Sequence, residues 1–252
     1  VRFLFFAFLF KVINVSDHFI ILSDFYQTGG FMELPTIIVN FKLYEQGTGD
    51  AALEMAILHE KIAAEMGVSI AIVVNFLDLE AIARRVKIPV FAQGMDPVGY
   101  GSHTGSISAD MLFEKGAYGV LLNHAERPLE YVMLGECVSR ARDAGLFTVV
   151  CVDSPEQGEV VKKYNPDMIA VEPPGLIGGD LSVAEADPAM IEKAVSELGR
   201  GNVIVGAGIR NGSDVRTSLA LGASGVLLAS GVVRADDPEM VLRDLAEALK
   251  RY

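Results

Sequence analysis

Three side chains of different kinds stand just after short apolar runs. Lys42 closes Asn40-Phe41-Lys42, His124 lies in Asn123-His124-Ala125-Glu126, and Glu172 opens Glu172-Pro173-Pro174. Two further runs end in small residues, Gly206-Ala207-Gly208-Ile209 and Ala229-Ser230-Gly231. Small residues ahead of a helix start let backbone N–H groups and the positive end of the helix dipole approach an anion. A lysine, a histidine and a glutamate facing such loops would form a site for a small anionic molecule. Singly, each has an ordinary reading: a solvated charge for Lys42, a satisfied strand-end residue for His124, a salt bridge or helix cap for Glu172. All fall at strand ends on one face, and that joint placement favours a site.

The other candidates weigh less. His59 lies on a helical stretch and is expected to be exposed, and His18 belongs to an aromatic-rich leading segment. His103, in Gly101-Ser102-His103-Thr104-Gly105, is expected to serve structure or a subunit contact. No His-x-x-x-His, Cys-x-x-Cys or acidic cluster at ligand spacing occurs, so no metal site is expected. Cys137 and Cys151 give no disulfide framework; both read as small core residues and point to a reducing compartment.

The elements that must position these residues alternate regularly. Strand candidates run from Thr36 to Val39, Ser69 to Val74, Pro89 to Gln93, Gly119 to Asn123, Thr148 to Val152, Met168 to Val171, Val203 to Val205 and Val226 to Leu228. Each is nearly continuously apolar, as parallel strands covered on both faces should be. Helical patterns lie between and after them, over Asp50 to Met66, Leu77 to Val86, Ser106 to Lys115, Pro128 to Ala144, Pro155 to Tyr164, Pro188 to Leu198, Gly212 to Leu221 and Pro238 to Lys250. Proline near several helix starts and glycine after several helix ends agree with these bounds. Eight such pairs in one α/β chain predict a closed (β/α)8 barrel forming a single domain, with a doubly wound open sheet as the alternative. In a closed barrel the active site lies at the C-terminal ends of the strands, where the polar residues above fall.

The chain has 252 residues with 21 Lys and Arg against 33 Asp and Glu, a formal charge of −12. That balance argues against nucleic-acid binding, which needs a positive footprint. Residues 1–32 form an N-terminal extension unlike the rest. The first 31 residues hold 9 of the 20 Phe and Tyr, and their Arg2, Lys11, Asp17 and Asp24 cancel, so the whole −12 belongs to residues 32–252. The apolar run from Phe3 to Phe10 stops at Lys11, far short of the ~20 residues that span a bilayer. No small-residue cleavage site comes after it, which disfavours a secretory signal. Met32 is expected to be the natural start, with translated upstream sequence before it, and residues 33–252 the catalytic barrel. The Gly29-Gly30 pair is compatible with a GG-rich ribosome-binding site in the gene.

From residue 34 to 252 the chain resembles, in collinear order, the triosephosphate isomerase family, in its shorter archaeal-type branch. Asn-Phe-Lys at 40–42, Asn-His-Ala-Glu-Arg at 123–127 and Val-Glu-Pro-Pro at 171–174 are similar to its three site motifs. The stretches GSHTGSIS, GAGIRNGSDV and GVLLASGVV are likewise similar to archaeal members. The resemblance implies a TIM barrel that interconverts glyceraldehyde 3-phosphate and dihydroxyacetone phosphate through an enediol or enediolate. By it, Glu172 would be the base, His124 the electrophile, and Asn40 and Lys42 substrate-binding residues, Lys42 also stabilising negative charge. Phe41 would contribute to the substrate site, Ile177 and Gly178 to a closing loop, and Gly208, Ala229 and Ser230 to the phosphate cradle. It further implies no cofactor, a cytoplasmic role in glycolysis and gluconeogenesis, and a homo-oligomer, dimer or tetramer.

The chain departs from the family pattern in places. Ala125 stands where Ser is common and Pro128 where a second basic residue is, which removes side chains expected to support that loop. Gly175 and Gly179 replace residues that are typically Glu and Thr, each loosening the closing loop by roughly 0.5 to 1 kcal/mol, so a lid that closes less readily is expected. Two rivals share the glycine-rich loops: another phosphate-binding barrel enzyme, which has no need of Asn40, Lys42, His124 and Glu172 together, and a non-catalytic phosphate-metabolite binder, which has no need of Glu172.

Overall fold

The computed structural model describes Lys11–Val15 and His18–Leu22, then residues 32–179, 181–250 and Tyr252. The run from Phe3 to Phe10 and the Gly29-Gly30 pair lie outside the described residues. Lys11–Val15 pairs antiparallel with His18–Leu22 in a two-stranded sheet separate from the barrel.

Eight parallel strands close on themselves: Thr36–Asn40, Ser69–Val74, Val90–Ala92, Gly119–Leu122, Phe147–Val152, Met168–Val171, Val203–Gly206 and Gly225–Leu228. Closure is made by the last strand against the first, with Gly225 opposite Thr36 and Leu228 opposite Val39. Side chains alternate between two apolar layers. Ile38, Val73, Phe91, Leu121, Cys151, Ala170, Ile204 and Leu227 fill the barrel interior. Ile37, Val39, Ile70, Ile72, Val150, Val171 and Val205 face the surrounding helices. Both cysteines are buried, Cys151 inside the barrel and Cys137 among the helices.

All eight strand expectations match observed strands; the helices differ mainly at their ends. The second helix is only Leu79–Ala83, because the Asn75 side chain accepts the Leu77 and Asp78 N–H groups and holds a turn ahead of it. The third starts at Ala109, where the Ser108 hydroxyl accepts the Met111 N–H. The helix expected from Pro128 starts at Tyr131. A one-turn helix, Val183–Ala186, precedes Pro188–Leu198 and is capped by Ser182, which accepts the Glu185 N–H. One further turn, Ser230–Val233, comes after the last strand.

The first helix, Gly49–Met66, corrects one expectation. His59 is not exposed but fully buried. Ala52, Met55, Ala56, His59, Ile62 and Ala63 recur at three- and four-residue intervals and form the face packed on the barrel, with His59 at its centre. Among the described residues no helix is long and apolar enough to cross a membrane.

Candidate active site

The polar strand ends meet at one mouth. Asn40, Lys42, His124, Glu172, Ile177, Gly178, Gly208, Ala229 and Ser230 all line a single cavity there. Phe41 does not. Strand alternation that turns Ile38 and Asn40 toward the axis turns Val39 and Phe41 toward the helices, and the Phe41 ring is fully buried 5.3 Å from the ring of His59. The structure thus places the Phe41 side chain in the packing behind the site, between Asn40 and Lys42 in the chain. His103 also lies outside the cavity, in an exposed loop.

Lys42 takes a left-handed backbone, φ 49°, unusual for a residue with a side chain. Asn40 and Gln93 hold it there. The Asn40 Oδ1 accepts the Lys42 N–H at 3.0 Å, and the Gln93 Nε2 donates to the Lys42 carbonyl at 2.8 Å. The ammonium reaches across the mouth to Glu126, Nζ to Oε1 2.7 Å. The lysine side chain is 11% exposed and the glutamate 60%, so this pair sits at the water boundary and orients Lys42 without removing it from the cavity.

His124 is fixed in one tautomer. Its Nδ1 lies 3.1 Å from the Glu126 backbone N–H and accepts from it, so a neutral ring carries its proton on Nε2. Burial, then the Lys42 charge, hold its pKa below the ordinary histidine value, with Glu126 opposing. The ring is thus a neutral donor whose N–H points into the mouth. The loop it belongs to keeps its support without a serine at 125. The Arg127 N–H donates to the His124 carbonyl at 2.7 Å, the Leu129 N–H to Asn123 Oδ1 at 2.9 Å, and the Arg127 guanidinium pairs with Asp96 at 3.1 Å.

Glu172 faces His124 with Oε2 3.8 Å from Nε2. It is buried, and burial pushes its carboxyl up to about 7. The Cys151 thiol beneath it, the Lys42 charge and the Ala207 N–H pull the other way. Cys151 itself is driven far above the ordinary thiol range by burial and by this carboxylate, so it is a donor and not a nucleophile. The carboxylate has room only because residue 206 lacks a side chain: a Cβ on Gly206 would lie 2.5 Å from Glu172 Cγ and 2.7 Å from Cδ, and still closer to Oε1.

The opposite side of the cavity is backbone. Gly208, φ 72°, passes so close to Leu181 and Ser182 that a Cβ there would come within 2.7 Å of the Ser182 Cα. Ser230 and Gly231 open the one-turn helix after the last strand, whose first N–H groups have no acceptor within the helix. Ile177, Gly178 and Gly179 arch over this side, after a turn at Pro174–Leu176. Asp180, next in the chain, lies outside the described residues. Gln93, Glu126, Tyr44 and Arg210 join the site beyond the residues expected from sequence; all lie at or just past strand ends, where the barrel rule directs attention. Among the described residues no group of three or more His, Cys, Asp or Glu side chains could hold a metal ion.

A neutral imidazole N–H and a carboxylate of raised basicity, 3.8 Å apart, can act on adjacent atoms of one small molecule. A lysine beside them and backbone N–H groups opposite suit an anionic one.

Comparison with known proteins finds relatives over most of the chain. The family model "Triosephosphate isomerase" matches residues 35–249. The triosephosphate isomerase of Archaeoglobus fulgidus is 45% identical over 221 residues, covering 86% of this chain and 99% of that protein. That of Methanoculleus marisnigri is 42% identical over 222 residues, covering 86% of this chain and 100% of that protein. A crystal structure of triosephosphate isomerase from Bartonella henselae superposes with a TM-score of 0.66 at 21% identity, covering 85% of this chain and 98% of that one, a likeness of fold.

Proposed function

The chain belongs to the triosephosphate isomerase family, and from that premise we propose that Glu172, His124 and Lys42 interconvert glyceraldehyde 3-phosphate and dihydroxyacetone phosphate. Glu172 removes a proton from the carbon next to the carbonyl. His124 donates its Nε2–H to the carbonyl oxygen as charge develops there, and Lys42 stabilises the resulting enediolate. The proton returns to the neighbouring carbon, which exchanges aldehyde for ketone and leaves the enzyme unchanged. Asn40 positions Lys42 through its backbone and lines the substrate space. Gly208, Ala229 and Ser230 cradle the phosphate, while Ile177 and Gly178 cover it and exclude water.

The observation that carries this reading is the pairing of a buried carboxylate, pushed up to about 7, with a neutral imidazole donor 3.8 Å away. The reaction needs no cofactor, since only protons move. We place the activity in glycolysis and gluconeogenesis in the cytoplasm, carried out by a homo-oligomer, and assign catalysis to residues 33–252, with 1–32 taking no part. A coupled assay consuming dihydroxyacetone phosphate tests it, run on the full chain, on a chain beginning at Met32 and on Glu172→Gln. Turnover by the first two and its loss in the third is the expected result. Equal turnover by wild type and Glu172→Gln overturns the mechanism, and turnover by none favours a phosphate-metabolite binder.

A further inference from the structure

The loop after Glu172 is glycine-rich, and a side chain from outside reaches it. Arg210, on the loop after the seventh strand, donates from Nη2 to the Gly179 carbonyl oxygen at 2.5 Å. Among the described residues, the other hydrogen bonds of Pro173–Gly179 stay inside the loop: Leu176 N–H to Pro173, Ile177 N–H to Pro174, Gly179 N–H to Leu176. Those local bonds shape a turn, and Leu176 in its middle packs against the apolar layer. The Arg210 contact holds the far end of the loop, joining Gly179 to a different barrel strand end.

Arg210 is itself firmly rooted. Its backbone N–H donates to Asp214 Oδ2 at 2.9 Å, and the same buried carboxylate accepts the Ser182 hydroxyl at 2.7 Å through Oδ1. Ser182 begins the chain segment beyond the loop, and the Val183 N–H is bonded to the Ala207 carbonyl at 3.1 Å. Asp214 therefore ties together the base of Arg210 and the far end of the loop, a fixed frame from which the guanidinium reaches forward to Gly179.

Arg210 lines the cavity beside Gly208 and Ser230. Lys42 is the other Lys or Arg lining it. With a net charge of −12, a phosphate dianion approaches against the average field of the protein, so a second cation at the mouth matters. A guanidinium has five N–H donors in a planar fork and can grip a carbonyl while facing a dianion.

We propose that Arg210 is a positioning residue that clasps the loop at Gly179 and holds it closed over the phosphate end of the substrate. The inference rests on the isomerase reading. Its sharpest consequence concerns the enediolate. If the loop opens too early, the enediolate electron pair breaks the bond between C3 and the bridging oxygen. Inorganic phosphate leaves with that oxygen, and the remaining enol tautomerises to methylglyoxal.

The test compares the wild-type chain with Arg210→Gln and Arg210→Lys, measuring KM and kcat for glyceraldehyde 3-phosphate, inorganic phosphate released per isomerisation, and the thermal midpoint. Arg210→Gln is expected to raise both KM and the phosphate released per turnover about tenfold, the scale of one lost charge-assisted hydrogen bond. Arg210→Lys, which keeps a cation and a donor, recovers part of both, and the thermal midpoint stays put in each. An active wild type matched by Arg210→Gln in KM and in phosphate release overturns the clasp alone. So does a variant that loses kcat and thermal midpoint together with phosphate release unchanged, the mark of a purely structural role. A wild-type chain that turns over nothing overturns the isomerase reading, and the clasp with it.

Discussion

Glu172 Oε2 and His124 Nε2 face each other at 3.8 Å, and among the described residues the carboxylate oxygen has no hydrogen-bond partner. The gap is too long for a direct hydrogen bond and too short to hold a substrate atom, so the base and the donor would act side by side on a molecule in the cavity that both line. An amide at 172 keeps the shape and loses the basicity. Glu172→Gln is therefore expected to lower kcat about 10³-fold with a small change in KM, read in a steady-state coupled assay. A variant with undiminished kcat would show that the proton goes elsewhere.

The pH profile should carry the signature of the same group. With the Glu172 carboxyl pushed up to about 7 and His124 held below its ordinary value, the base must be ionised while the imidazole is already neutral. Accordingly kcat/KM should be level above about pH 7 and fall tenfold per unit well below it. Stability moves in the opposite sense. Because the folded chain holds the Glu172 proton to higher pH than the unfolded chain, whose carboxyl titrates near 4.5, this group's contribution to stability falls as pH rises from 4.5 to about 7. Urea titrations at both ends of that window check it, and Glu172→Gln should remove this part of the slope.

Gly206 offers a way to move the base without altering it. Strand alternation turns residue 206 toward the axis, and a Cβ there would lie 2.5 Å from Glu172 Cγ. The side chain of Glu172 gives way more easily than two strands of the barrel. Gly206→Ala should then cost about 10²-fold in kcat, the penalty of misplacing a reacting group by an ångström. The circular dichroism spectrum and thermal midpoint should stay close to wild type. Wild-type kcat in this variant would mean that the carboxylate has another productive position.

Much of this arrangement was legible in the sequence, and the reasons differ by residue. The strands could be read because both faces of each are covered, which leaves unbroken apolar runs such as Ser69–Val74. Lys42, His124 and Glu172 could be found because a closed barrel puts every strand end at one mouth. The Phe41 side chain falls outside the cavity because strand parity turns it away from the axis that its neighbour Asn40 faces. The turn at Val183–Ala186 had a local signal, Ser182 with Glu185 three residues later, which is a helix-start pattern. Arg210 and Gln93 had none. Their partners, Gly179 and the Lys42 backbone, lie 31 and 51 residues away, and only the folded barrel brings them together.

His59 shows the same limit from the side of stability. A histidine on a helix reads as polar and exposed, yet Met55, His59, Ile62 and Ala63 form one apolar stripe, and its ring is fully buried against Phe41. Its Nδ1 lies 2.7 Å from the Met55 carbonyl, which makes it the protonated nitrogen, and Nε2 is left buried without a partner among the described residues. Burial lowers its pKa from 6.5 to about 4. The unfolded chain therefore binds a proton that the folded chain refuses, and this group's contribution to stability is lost as pH falls from 6.5 toward 4. Leucine fills a similar volume with no polar atom to strand. His59→Leu is expected to raise stability by about 1 kcal/mol at pH 7.5, by relieving the unsatisfied nitrogen. Its margin over wild type should widen at pH 5, where histidine in the unfolded chain is protonated, while kcat remains within about twofold because Phe41 keeps an apolar neighbour. Urea unfolding at the two pH values measures both margins. A leucine variant less stable than wild type at each would mean that Nε2 makes a favourable interaction in the folded protein.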